Sequence, residues 1–374
     1  MNDAKKAATP FAGTSGSQSS FFEAVSRSIF RNYWIARSGF FANVLLKDIR
    51  GLFSRRESTG RMLVHLDIEP TNICNANCVF CGYQYQDGKT YKSINFDFAG
   101  KILDAFCQAG GGDIGLTPVV GDPLICKDIE KLVALCRSRS EVVGIGLTTN
   151  GLLLTGSKFL ALREAGLTDI NISMTYPDEQ EYEAIYRTNQ FKRLLSNLNE
   201  LALVDTSGVR INLWIRTPRL FWKRHPLLKK LRSCGWSVNR NFFFDDWSGR
   251  VAKGLAEQGL ARRPLRGKHL PCGMLQSGPH AMASGRITAC GCRDLEAKSE
   301  LAAEELFRPF YESGDLKKVY YGTLNGLRKQ FLEHNAPSIC KTCRHYNPDF
   351  RFGTFKDRLA QIAVDIKAVF RSDP

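Results

Sequence analysis

The feature that most constrains this chain is a Cys-x3-Cys-x2-Cys array. Cys74, Cys78 and Cys81 stand within Asn72-Ile73-Cys74-Asn75-Ala76-Asn77-Cys78-Val79-Phe80-Cys81-Gly82-Tyr83. The array follows an apolar run, Met62–Glu69, that reads as a strand, so the thiols fall on a loop at its end. Thiolates this close in sequence can wrap one soft metal centre. They are one short of the four that an iron–sulfur cluster takes, and an iron without a protein ligand is open to a small molecule. A structural zinc site would want a fourth Cys or His nearby. His65 lies upstream, inside the predicted strand, and is poorly placed for that.

From Met62 to about Asp246 the pattern alternates strands and helices, which argues parallel β/α units. Strands are expected at Met62–Glu69, Asp113–Val120, Val142–Thr149, Thr168–Thr175, Val209–Thr217 and Ser237–Asp245. Helices are expected at Phe98–Ala109, Lys127–Arg137, Lys158–Ala165, Glu179–Ala202 and Pro226–Cys234. Six such units make an α/β fold, a partial (β/α)6 barrel open along one side. Active-site residues of barrels sit at the carboxyl ends of strands, where the cysteine loop falls.

The flanks differ in character. Residues 1–20 are polar and small, read as a disordered tail. Residues 21–60 hold basic helices with apolar residues at helical spacing, Phe22, Val25, Ile29, Tyr33, then Phe41, Leu45, Ile49 and Leu52. They suit either packing across the barrel or a membrane surface. The barrel is placed at 61–252. Residues 253–350 are expected to be irregular and to carry cysteines. Residues 351–374 form an amphipathic helix with the stripe Phe355, Leu359, Ile362, Ile366 and Val369, expected to dock on the core. The chain shows no secretory signal and no run long enough to span a bilayer, so a cytoplasmic protein is expected, with its twelve cysteines serving metal rather than disulfides. The net charge of +15 favours an anionic partner: nucleic acid, a phosphorylated or nucleotide-linked substrate, or the inner face of a membrane.

The cysteine spacing, with the aromatic Phe80 before its last cysteine, resembles the signature of the radical S-adenosylmethionine (SAM) enzymes. The resemblance implies a [4Fe-4S] cluster whose open iron chelates SAM, and reductive cleavage of SAM to a 5′-deoxyadenosyl radical that abstracts hydrogen. Other strand ends match family positions. Val119-Val120-Gly121-Asp122-Pro123 is similar to a Gly-Gly-Glu-Pro turn that receives the SAM ammonium. Val120 replaces its first glycine and Asp122 is one methylene shorter than its acid. Thr148-Thr149-Asn150-Gly151 is similar to the Thr-Asn-Gly turn on the ribose side. Ser173 and Arg216 match positions that contact the ribose and carboxylate, and the planar fork of Arg216 suits a carboxylate. Tyr182–Arg187 resembles a helix segment that packs in these enzymes.

A second set, Cys272-x12-Gly285-x4-Cys290 followed by Cys340-x2-Cys343, resembles the auxiliary SPASM domain in its shortened, one-cluster "twitch" form. The resemblance implies an auxiliary [4Fe-4S] cluster; spacing alone equally suits a zinc ribbon. Cys292 is extra beside the set, and Cys107, Cys126, Cys136 and Cys234 read as packing residues. Relatives with one auxiliary cluster include dehydrogenases of aminocyclitols or sugars, so a small polar substrate is expected, sugar- or cyclitol-like and phosphorylated, nucleotide-linked or lipid-linked. Asp245, Asp246 and Arg250 are candidates for substrate contact and proton removal, or else a turn with a local ion pair. The family further implies a flavodoxin- or ferredoxin-like reductant. The rival readings are a sugar epimerase with Cys292 as hydrogen donor, a ribosomal-peptide maturase, and a non-catalytic iron–sulfur or zinc regulator. No helix-turn-helix or RNA-recognition signature is present, so no nucleic acid is expected.

Overall fold

The computed structural model describes Gly39 and residues 41–53, 63–86, 92–219, 221–291 and 293–370. The chain divides into a unit of residues 1–44 and a unit from Leu45 to Pro374. A helix, α1, runs over residues 41–52. The tail expected at residues 1–20 and the first helix expected within 21–60 lie outside the described residues.

Strands β1 (His65–Ile68), β2 (Gly112–Leu116), β3 (Val142–Thr149), β4 (Asp169–Met174), β5 (Arg210–Arg216) and β6 (Ser237–Asn241) are parallel neighbours in that order. Each crossover carries helices: α2 (Phe96–Gln108), α3 (Ile129–Arg137), α4 (Gly156–Ala165), α5 (Glu179–Tyr186) with α6 (Phe191–Leu201), and α7 (Pro226–Ser233). Side chains alternate across each strand. Ile170, Ile172 and Met174 of β4 and Ile211, Leu213 and Ile215 of β5 are buried, each contributing about 1.5–3 kcal/mol. Of the alternate positions, Asn171, Ser173, Asn212 and Arg216 are polar and Trp214 is exposed. The open-barrel expectation is met by these six strands.

The helix expected over Glu179–Ala202 is two helices, broken at Arg187, whose φ of 51° is left-handed. The last carbonyls of α5 lack an intrahelical partner and are taken by the cysteine loop. Asn77 N donates to Tyr186 O at 3.2 Å and Val79 N to Ile185 O at 2.9 Å.

Beyond residue 253 the chain is more regular than expected. Strands β7 (Phe243–Phe244) and β8 (Ala261–Arg262) pair with each other. Strands β9 (His280–Ala281) and β10 (Ile287–Thr288) form a hairpin turning at Gly285, φ 83°, and β9 pairs parallel to β1. The sheet therefore reads β10-β9-β1-β2-β3-β4-β5-β6. Gly278 leads into β9 where the His65 carbonyl leaves no room for a side chain. Helices Glu304–Ser313 and Asn325–Leu332 follow, and helix Phe355–Phe370 ends the description. No described helix is long and apolar enough to cross a membrane.

Candidate active site

The cysteine loop leaves β1 at the carboxyl end of the sheet. Cys74, Cys78 and Cys81 are free thiols, and Cys81 N donates to Cys78 O at 3.1 Å, folding the last cysteine back on the second. The Cys81 sulfur then accepts from Tyr83 N at 3.5 Å, starting a short 3-10 turn, Gly82–Tyr85. Phe80 stacks on Phe244 at 5.2 Å and meets Tyr186 edge-on at 5.5 Å. The Arg216 guanidinium lies 4.5 Å from the centre of the Phe80 ring, a cation–π contact. Its Nε donates to Ser173 Oγ at 2.5 Å, and that hydroxyl is 2.6 Å from the Tyr186 hydroxyl. Phe80, Ser173 and Arg216, which match three separate family positions in sequence, thus form one contact group. Tyr186, read from sequence as a packing residue, also orients this group.

The electrostatics follow. Burial pushes the Cys74 thiol up to about 12, with the Asp122 carboxylate adding to it. Burial also raises Cys78, reinforced by Cys81 and Cys74, and raises Cys81, while Arg216 pulls both the other way. Three thiols that hinder each other's ionisation, beside one fixed cation, fit a multivalent cationic centre among them. Among the described residues no three His, Cys, Asp or Glu side chains are drawn together as tightly as a single metal ion requires. An iron–sulfur cluster has several irons between its ligands and holds its thiolates farther apart than zinc does.

Two turns close around the loop. Gly121 has φ 133°, and a Cβ there would stand 2.7 Å from Thr71 O, so the turn at β2 passes directly beneath the strand leading to the cysteines. Asp122 N donates to Ile73 O at 2.8 Å. The Asp122 carboxylate is buried and turned inward. It accepts from Leu124 N at 3.0 Å, Thr149 Oγ1 at 2.9 Å and Asn150 N at 2.7 Å. Burial raises its pKa, and these bonds oppose that. Asp122 therefore welds the β2 turn to the end of β3. Asn150 extends the weld: its Nδ2 donates to Asn75 Oδ1 at 2.7 Å and lies 3.9 Å from the Cys74 sulfur.

The second cysteine set gathers at the β9–β10 side. Cys272 pairs in an isolated bridge with Pro348, Cys290 follows β10, and Cys340 lies on the short helix Ser338–Lys341, with Cys343 N donating to Cys340 O at 3.0 Å. Burial raises Cys272 to about 12 with Cys290 adding to it, and burial also raises Cys340, with Cys290, Cys272 and Cys343 adding to it. Sequence positions up to 71 residues apart thus share one electrostatic neighbourhood, a donor set that could hold a second centre. Cys292 lies outside the described residues. Cys107, Cys126 and Cys136 are buried, as packing residues should be, but Cys234 is exposed after α7.

Asp245 and Asp246 are buried and committed to arginines. Arg344 N donates to Asp245 Oδ2 at 2.7 Å and Arg344 Nε to Asp246 Oδ2 at 2.8 Å, while Arg293 Nε is 3.4 Å from Asp245. These are the partners that the ion-pair role asks for, and they join the end of the barrel to the Cys343 loop. The Arg250 carbonyl accepts from the Tyr85 hydroxyl at 2.6 Å. Between them Trp247, with φ 51°, donates from Nε1 to Phe80 O at 3.1 Å and fills the space above Gly82. Sequence reasoning missed Trp247 and Glu69. The Glu69 carboxylate accepts from Val119 N at 3.1 Å and Ala283 N at 3.2 Å, tying the β2 turn to the hairpin. Acidic Asp67 and Glu69 alternating within an apolar strand were the available signal.

Residues 68–214 match the sequence profile of the Radical SAM superfamily. The chain carries a radical SAM domain. The GTP 3′,8-cyclase of Petrotoga mobilis is 29% identical over 157 residues, 41% of this chain and 47% of that protein. The probable GTP 3′,8-cyclase of Methanothermobacter thermautotrophicus is 32% identical over 162 residues, 42% of this chain and 50% of that protein. The chain spans about half the length of the curated relatives it matches. The crystal structure of BtrN in complex with AdoMet and 2-DOIA superposes with TM-score 0.52 at 12% identity, over 78% of this chain and 97% of that one. Streptococcus suis SuiB bound to precursor peptide SuiA gives 0.51 at 15% identity, over 76% and 72%. At such identities the likeness speaks for the fold alone, an α/β sheet of the radical SAM kind. The radical SAM family implies a [4Fe-4S] cluster and SAM, and the thiols of Cys74, Cys78 and Cys81 could hold such a cluster.

Proposed function

We propose that this protein is a radical SAM oxidoreductase that cleaves SAM reductively and abstracts hydrogen from a small polar substrate, sugar- or cyclitol-like, oxidising it. The observation that carries this reading is the trio of thiols, buried Cys78 and half-buried Cys74 and Cys81, on a loop at the carboxyl end of β1 with Arg216 acting on Cys78 and Cys81. Cys74, Cys78 and Cys81 would hold the first cluster, and Cys272, Cys290, Cys340 and Cys343 an auxiliary one of SPASM or twitch type. When bound, these groups supply an electron, a carbon radical that takes a hydrogen atom, and an acceptor for the electron left on the oxidised carbon. The chain's own residues hold the geometry. Arg216, fixed by Phe80 and Ser173, offers a guanidinium to a carboxylate, and Asn150 and the Gly121 turn frame the first cysteine. Trp247 and the buried Asp245 and Asp246 keep the two cysteine loops in register, leaving the Arg250 side chain as the candidate for substrate contact.

The curated relatives align over 41% and 42% of the chain, so their nucleotide substrate weighs little on this one. The basic balance supports a substrate bearing phosphate, nucleotide or lipid, a flavodoxin- or ferredoxin-like reductant, and association with an anionic membrane surface. The test is anaerobic reconstitution with iron and sulfide, then dithionite and SAM, with 5′-deoxyadenosine measured. Wild type should release it, and Cys78→Ala should lose iron and release at least about 100-fold less. Equal release by Cys78→Ala would end the reading. Once a substrate is found, a product lighter by a pair of hydrogens supports oxidation. Unchanged mass with inverted stereochemistry, lost in Cys292→Ala, would assign an epimerase.

A further inference from the structure

The last helix is turned opposite to its sequence pattern. Phe355, Leu359 and Ile366 stand 58%, 45% and 39% exposed, while Arg358, Gln361 and Asp365 are buried with Ile362. The inward polar groups are bonded. Asp365 Oδ2 accepts from Arg266 at 2.6 Å, and the same guanidinium reaches Asp48 at 2.5 Å. Gln361 accepts from His269 N at 3.0 Å and from the Tyr346 hydroxyl at 2.9 Å, and donates to Gly267 O at 3.0 Å. Rolling the helix to bury its apolar stripe would take Asp365 from the buried Arg266 and strip His269 N and Gly267 O of their Gln361 bonds, an unfavourable state. The exposure is therefore built into the fold.

The part of α1 beyond Val44 lies alongside. Arg358 donates to Leu52 O at 3.3 Å, and Arg266 links Asp48 to Asp365, so the two helices run antiparallel. Leu45 and Leu52 pack inward, whereas Leu46, Ile49 and Phe53 are 54%, 41% and 79% exposed. Lys47, Arg50, Lys356 and Lys367 are exposed among these apolar groups. The carboxylates of the two segments are turned to protein: Asp48 and Asp365 to Arg266, and Asp357 to Thr354 N at 2.7 Å.

We propose that this paired-helix face docks on an anionic lipid surface. Its apolar side chains would enter the headgroup boundary while its lysines and arginine meet the negative headgroups. A neutral apolar partner would leave those cations without counter-charge. No described helix can span a bilayer, so the face lies on the membrane. The inference rests on the membrane-surface part of the reading above and is measured apart from SAM cleavage, so either can fail alone.

The experiment is co-sedimentation of the full chain with phosphatidylcholine vesicles, with and without phosphatidylglycerol. Wild type should partition onto the anionic vesicles and not the neutral ones, with binding reduced by salt. Leu359→Glu/Ile366→Glu and Lys356→Glu/Lys367→Glu should each weaken partitioning about tenfold or more. Unchanged thermal melting and cluster absorbance would show that both variants are folded. Failure of wild type to bind anionic vesicles overturns the proposal. So does binding that survives both variants, which would put the contact elsewhere, residues 1–38 included. A dimer that the Leu359→Glu/Ile366→Glu variant makes monomeric, without vesicle binding, would assign the stripe to a second copy of the chain.

Discussion

Arg216 shows how much one side chain can hold together. It spans a ring contact with Phe80, a hydrogen bond to Ser173 and a favourable field at two thiols. Gly121 works by the opposite means, having no side chain where the Thr71 carbonyl passes 2.7 Å from the Cβ position. Alanine there would combine a left-handed φ with a backbone clash and disturb the Asp122–Ile73 bond. Gly121→Ala should cost about 2–4 kcal/mol of stability, read from the urea midpoint. A loss under about 0.5 kcal/mol would mean that the turn relaxes freely and that the glycine is incidental.

At the scale of elements, α1 and the last helix are joined by a buried triad rather than by apolar packing alone. Burial holds Asp48 up to about 6 from an ordinary 3.8, Arg266 pulling it down and Asp365 pushing it up. The sign follows from the proton that the folded state keeps after the unfolded chain has released it. The stabilisation is full below about pH 4 and is lost as pH rises through about 6. Asp48→Asn stays neutral and can still accept from Arg266 at every pH. Its melting temperature relative to wild type should therefore rise between about pH 4 and 6 and level off above. A difference that stays flat across that window would show a carboxylate ionised throughout.

On the scale of the whole molecule, the later part of the chain completes the sheet instead of hanging from it. β9 covers the edge of β1, and Glu69 bonds across to Ala283, so the second cysteine set is built on the same framework as the first. The two sets should nonetheless be separable in chemistry. Cys340→Ala should lose the auxiliary part of the iron yet still release 5′-deoxyadenosine within about tenfold of wild type, while substrate oxidation fails. Iron content and product mass check this together. Loss of deoxyadenosine as severe as in Cys78→Ala would make the second set a structural support for the first.

The strands and the first cysteine site were legible in the residues because both are local. The alternation of strand-like and helix-like segments placed β3 at Val142–Thr149, the residues it occupies, and the three thiols carry their spacing on one short loop. Strands of two residues carry too little pattern to read, and β9 pairs with β1 across more than 200 positions, so the hairpin edge emerged only from the folded sheet. The break at Arg187 was hidden for a related reason. It is favoured by cysteine-loop amides over 100 residues upstream that donate to the last carbonyls of α5. The rotation of the last helix was decided by tertiary structure as well. Apolar spacing predicts an inward stripe, but with the polar face inward Asp365 reaches the buried Arg266 that also holds Asp48. Local chemistry thus determined which residues are the candidates to hold a cluster. Non-local hydrogen bonding decided how the sheet closes around them and which helix face is left to meet a partner.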